Sequence, residues 1–219
     1  MTESAGKRCT HPVRRLAFLC AGLIIMAFGV AFSIKAALGT SPISSVPYVT
    51  ARISGLSVGT TTIIMNFIFV LIQIGILRKQ YQWFQLLQFP AAVLFGVMID
   101  VAEAVLAPLP AGNYLQQWLL GAVGIVLIAL GVSVEVMANL VTTAGEGIVL
   151  AICKVFPVKF GNMKMAFDIT LVCISIVLSL LFLGQLDGVR EGTVAAAVLV
   201  GQITKRFQPL MKALERAVL

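Results

Sequence analysis

Six polar residues sit where an otherwise apolar chain has little reason to put them: Thr40, Ser41 and Asn66 in the first half, Thr142, Glu146 and Asp168 in the second. Hydroxyls, an amide and two carboxylates at membrane depth are the equipment for holding a small polar solute or an ion. An ionisable side chain near mid-bilayer costs about 2.5–3.5 kcal/mol on insertion scales, so its presence there is a functional hypothesis by default. Asp168 has a local partner in Lys164, four residues earlier on the same helical face, and that pair could simply neutralise itself. Asp100 and Glu103 share a face of one helix, Glu135 lies near the inner end of another, and Glu191 begins the last. Several acids and few bases at depth suit proton or cation coupling better than capture of a large anion.

Other chemistries are poorly supplied. The four cysteines (Cys9, Cys20, Cys153, Cys173) show no C-x-x-C spacing, and the single histidine, His11, precedes the first apolar run. Metal clusters and Ser-His-Asp triads therefore have almost nothing to draw on. No nucleophile–base pair is visible, so neither an enzyme nor a cofactor is expected. Most of the 16 Lys and Arg gather at the N-terminal tail (Lys7, Arg8, Arg14, Arg15), at Arg78/Lys79, at Lys154/Lys159/Lys164 and at the C-terminal end (Lys205, Arg206, Lys212, Arg216). That clustering reads as the positive-inside signal rather than a nucleic-acid footprint, and no nucleic acid is expected as a partner.

The elements that must position these residues are membrane helices. The chain is 59% hydrophobic and 11% charged over 219 residues, with a mean hydropathy of +1.02; a soluble domain is about 45–50% apolar and about 25% charged. Six stretches approach the ~20 apolar residues that a crossing needs: 16–38, 58–77, 86–107, 116–139, 160–183 and 188–206. Two shorter ones, 40–56 and 142–158, carry prolines, glycines and hydroxyls. If both re-enter, the two tails, Arg78/Lys79 and Lys154/Lys159 share one side, which the charge rule favours. If both cross, there are eight spans and Arg78/Lys79 move outside. Thr or Ser before a short helix, with Pro in its first turn, offers free N–H groups and a positive dipole end to a ligand; the plainer alternative is that these residues only cap.

Sliding the chain on itself by 102 residues aligns 27–74 with 129–176. Gly29 meets Gly131, Thr40 meets Thr142, Arg52 meets Lys154, Gly59 meets Gly161 and Asn66 meets Asp168, and a looser match puts Gly96 over Gly201. The expectation is therefore an all-α membrane protein of six transmembrane helices plus two short re-entrant or half helices, in two inverted-topology repeats, about 16–107 and 116–207. Basic tails flank it at 1–15 and 208–219. Inverted repeats with interrupted helices are a construction of secondary transporters, although a duplication can also serve stability alone. Gly192, Thr193 and Ala195–Ala197 give the last helix a small-residue face suited to packing.

At these residues the chain resembles the YczE/YyaS/YitT family of bacterial integral membrane proteins, closest to the YczE-like branch. The carrying features are LGTSP at 38–42, VGT at 58–60, EGT at 191–193 and Gly201; TTAGEG at 142–147 departs from the family's Gly-x-x-Pro start. The resemblance implies a multi-pass inner-membrane protein with a transport role and names no substrate. The expected function is secondary transport of a small solute, with proton coupling open. Both termini are expected in the cytoplasm and the cavity at Thr40, Ser41, Asn66, Thr142, Glu146 and Asp168. The expected partners are the lipid bilayer and a small solute or ion, a homodimer being open as well. The rival expectation is a non-transporting scaffold or accessory subunit for a partner enzyme or export system.

Overall fold

A computed structural model of the chain describes residues 12–218, with side chains as far as Glu215. Lys7, Arg8, Cys9, His11 and the Arg216 side chain lie outside the described residues. The helices are α1 (Pro12–Ala36), α2 (Pro42–Ser54), α3 (Val58–Leu77), α4 (Gln88–Leu106), α5 (Tyr114–Ala138), α6 (Ala144–Val155), α7 (Phe160–Leu178) and α8 (Glu191–Val218); a π turn, Ser179–Leu183, prolongs α7. Among the described residues there is no strand. Five helical stretches are long and apolar enough to cross a membrane: Pro12–Ala36, Val58–Gln80, Trp83–Leu106, Tyr114–Ala138 and Phe160–Leu183.

The stretch expected at 188–206 forms the first part of α8, whose apolar run stops at Lys205 and Arg206. The helix then continues through the residues expected as a tail, because they have an apolar side to bury. Met211 packs with Val134 and Met137 of α5, and Glu215 lies 3.9 Å from Arg15 of α1.

The helices recur with a fixed period. α1, α2 and α3 begin at residues 12, 42 and 58, and α5, α6 and α7 begin 102 residues later at 114, 144 and 160. Each long first helix ends on a non-glycine residue in the left-handed region, Ala37 (φ 54°) and its counterpart Asn139 (φ 45°).

The centre of the bundle is a seam of glycines between α1 and α5. A Cβ on Gly22 would sit 3.0 Å from the Gly131 carbonyl oxygen, and one on Gly29 would sit 2.9 Å from that of Gly124. Contacts that rise along α1 thus fall along α5, so the two helices run antiparallel. The pairing exchanges repeat mates, since Gly124 is the counterpart of Gly22 and Gly131 that of Gly29. Removing side chains lets the backbones approach closely, the usual means of joining helices where lipid offers no hydrophobic drive.

Other pairs follow. α4 runs parallel to α1, Ala31 packing on Ala102 and Lys35 Nζ donating to the Ala107 carbonyl at 2.8 Å. α8 runs parallel to α5, through Thr204 near Ala129 and Met211 near Met137. α3 runs antiparallel to α4 through the close approach of Gly59 to Gly96, with Asp100 accepting from Ser57 Oγ and Gly59 N, each at 2.7 Å. Asp100 so caps the start of α3, a favourable place for an anion. It also shows that α1 ends and α3 begins at the same end of the bundle, with α2 between them. The short helices cross between halves, α2 packing on α7 and α6 on α3, around Phe69, Val70, Ala144, Ile148 and Leu171.

Gly161, by contrast, has open space where a Cβ would be. Gly29→Leu is expected to destabilise the folded protein by several kcal/mol, because the added atoms meet backbone that cannot yield. Gly161→Leu is expected to change stability by less than about 0.5 kcal/mol. Unfolding midpoints of the two variants in detergent check the contrast.

Candidate functional site

A cavity of about 70 Å³ lies inside the bundle beside the α1–α5 seam. Its deep wall is apolar, from Leu23, Met26, Val30, Phe95 and Ile128. Its polar groups come from five places: Ser41 and Ser44 at the start of α2, Thr62 and Asn66 on α3, Gln88 on α4, Glu135 on α5, and Thr142 and Thr143 before α6. Such a chamber, mostly apolar with a few convergent polar groups, is the usual form of a small-molecule site.

The two short helices aim their starts into it. Ser41 caps α2 with an extended backbone (φ −62°, ψ 153°), and Pro42 follows in the first turn. Thr143 caps α6 in the same way (φ −52°, ψ 150°). Neither side chain caps its own helix; Ser41 Oγ instead donates to Ser44 Oγ at 3.0 Å. Both breaks border the cavity.

Glu135 is the ionisable group on the wall. It is 4% exposed, and its Oε1 accepts the Thr143 N–H at 2.6 Å. It therefore occupies the start of α6 from inside the protein, as an acid favours. Its counterpart in the first half, Ser33, is too short to do this and donates to the Gly29 carbonyl at 3.1 Å. Below the cavity, Gln73 Nε2 donates to the Ala144 carbonyl at 2.9 Å and to Gln88 Oε1 at 3.1 Å, both glutamines being buried. Gly147 leaves the room Gln73 needs.

Of the six residues expected to share a cavity, Ser41, Asn66 and Thr142 line this one. Asn66 Nδ2 donates to the Thr62 carbonyl at 2.9 Å. The other three do not line it. Thr40 sits one residue before the cap and is drawn away, its N–H donating to the Gly188 carbonyl at 3.0 Å. Asp168 pairs with Lys164 at 2.6 Å on the flank of α7, both partly exposed. Glu146, in the first turn of α6, is within electrostatic reach of Lys164 and Asp168 on α7 and of Glu135. Glu135, Gln73 and Gln88 are not among the expected cavity residues. Glu135 could have been found by its helical phase, four residues after Gly131 on the face that meets α1.

The family of unknown function DUF6198 matches residues 13–209. The uncharacterised membrane protein YczE of Bacillus subtilis (strain 168) is 31% identical over 200 residues, covering 90% of this chain and 86% of its own. The uncharacterised protein YyaS of the same organism is 25% identical over 193 residues, covering 87% and 90%. No solved structure matches the chain. The likeness read from LGTSP, VGT and EGT thus extends over nearly the whole length. This chain is a helical membrane protein and belongs to the DUF6198 family.

Proposed function

We propose that this protein is a secondary transporter of a small solute in the bacterial inner membrane, working by alternating access with a proton carried on Glu135. The observation that carries the reading is the convergence of two broken-helix starts and one buried carboxyl on a single chamber. Transporters built from inverted repeats place their substrate at such breaks, and a scaffold has no use for an internal chamber on which polar groups from five elements converge. On this reading the chain crosses six times, α8 included, and α2 and α6 enter and return as half helices. The constant offset of 102 and the antiparallel pairing of α1 with α5 support two inverted halves. Arg14, Arg15, Arg78 and Lys79 lie at the end of the bundle where α1 begins and α3 finishes, which supports cytoplasmic termini.

Two measurements test this. Reporter tags after Leu56 and after Val158 are expected on opposite faces of the membrane; the same face for both would overturn the inverted halves. In proteoliposomes loaded with a pH-sensitive dye, a panel of small neutral and zwitterionic solutes is screened for solute-driven proton movement. Glu135→Gln is expected to lower that flux by at least about tenfold, the equivalent of roughly 1.4 kcal/mol in the barrier. Asp168→Asn, off the chamber, is expected to cost less. Flux unaffected by Glu135→Gln removes the proton from the mechanism.

A further inference from the structure

The two ends of the bundle hold counterpart segments in different states. At the end where α1 stops, residues 37–40 are clasped to the segment before α8. Thr40 N donates to the Gly188 carbonyl at 3.0 Å, Gly192 N to the Leu38 carbonyl at 2.8 Å, and Arg190 Nη1 to the Ala37 carbonyl at 2.9 Å. Gly39 (φ 92°) lies so close to Arg190 that a Cβ would sit 2.5 Å from its backbone nitrogen. Asp187 braces the clasp: its Oδ2 lies 3.3 Å from Arg52 Nε, and its Oδ1 accepts from Gly188 N at 2.9 Å and from Tyr48 Oη at 3.4 Å. What remains between these groups is a pocket of about 40 Å³.

At the opposite end the counterparts of 37–41 are 139–143, and the counterparts of the α8 start are the residues around Gln88. Among the described residues no backbone hydrogen bond joins these two segments. Thr143 N is turned back onto Glu135 of its own half, and the Gln73 side chain bridges the start of α4 to the start of α6 through Gln88 and the Ala144 carbonyl. The chamber extends along this end, from Val30 at mid-helix to Leu19, Val141 and Thr142. Ser33 offers no acid to do for Ser41 what Glu135 does for Thr143, which leaves segment 37–40 available to the partner across the bundle.

We propose that the clasp of residues 37–40 with 187–193 is the closed gate of this protein, and that 139–143 is its open counterpart, held back by Glu135. The inference rests on the transport reading and names how access to its chamber is controlled. The structure is then the state open toward the basic end, and the opposite state forms when the clasp parts and 139–143 closes on the start of α4.

The test uses a full-length protein whose four cysteines are replaced by serine, carrying Thr62→Cys on the chamber wall, in sealed vesicles of known orientation. The probe is a membrane-impermeant maleimide applied to one face at a time. Labelling is expected only from the face that bears the N-terminus. Loosening the clasp with Asp187→Asn plus Arg190→Gln is expected to raise labelling from the other face at least about fivefold. Because Thr62→Cys touches the chamber, Ser44→Cys serves as an independent second reporter with the same expectation. Equal labelling from both faces before the clasp is altered, or far-face labelling unmoved by the double substitution in both reporters, overturns the gate. Labelling that follows the expectation in a protein that moves no solute upholds the gate and places the failure in the transport reading.

Discussion

The antiparallel contact of α1 with α5 is the interaction on which the rest of the molecule depends. Gly22, Gly29, Gly124 and Gly131 strip one face of each helix, and the backbones close until a methyl group would collide with a carbonyl. Everything lateral is then set by distance. α4 and α8 pack beside this pair as parallel companions, and the short helices are left the space at its ends. Met26 and Ile128, one from each helix, line the chamber beside the seam. Two long helices spanning lipid would otherwise have little reason to prefer one another over acyl chains.

Much of this arrangement is legible in the sequence, and the reasons are physical. Apolar runs mark the first five long helices because lipid admits nothing else of that length. The 102-residue offset gives the positions of α5, α6 and α7 from those of α1, α2 and α3, since Gly, Thr and Asn/Asp at matching sites mark matching backbone. The short segments show themselves by Pro42 and by the Thr-Thr-Ala-Gly run, which cannot continue the preceding helix. α8 is less legible. Its C-terminal half looks like a polar tail until the apolar side carrying Met211 is set against α5, and charge alone says nothing of that contact.

The site divides along the same line. Ser41, Asn66 and Thr142 are predictable from position, because helix starts and mid-helix amides are fixed by the periodicity of the elements that carry them. Glu135, Gln73 and Gln88 are not, because what matters about them is which neighbour they reach. Asp168 shows the converse: depth in the sequence makes it prominent, whereas Lys164 one turn away claims its carboxylate. A carboxylate's role follows from its nearest donor, and donors four residues apart compete with any ligand.

The exchange of short helices between halves has a consequence for how the protein is made. α2 packs on α7 and α3 on α6, so neither half carries its own complement of contacts. During synthesis at about 5–20 residues per second, α2 emerges several seconds before α7 exists to cover it. Over that interval its hydroxyls and unsatisfied N–H groups must be sheltered by α1 and α3 or by the insertion machinery. A ribosome that stalls between the halves would thus leave in the bilayer a broken helix without its α7 cover, a natural substrate for membrane quality control.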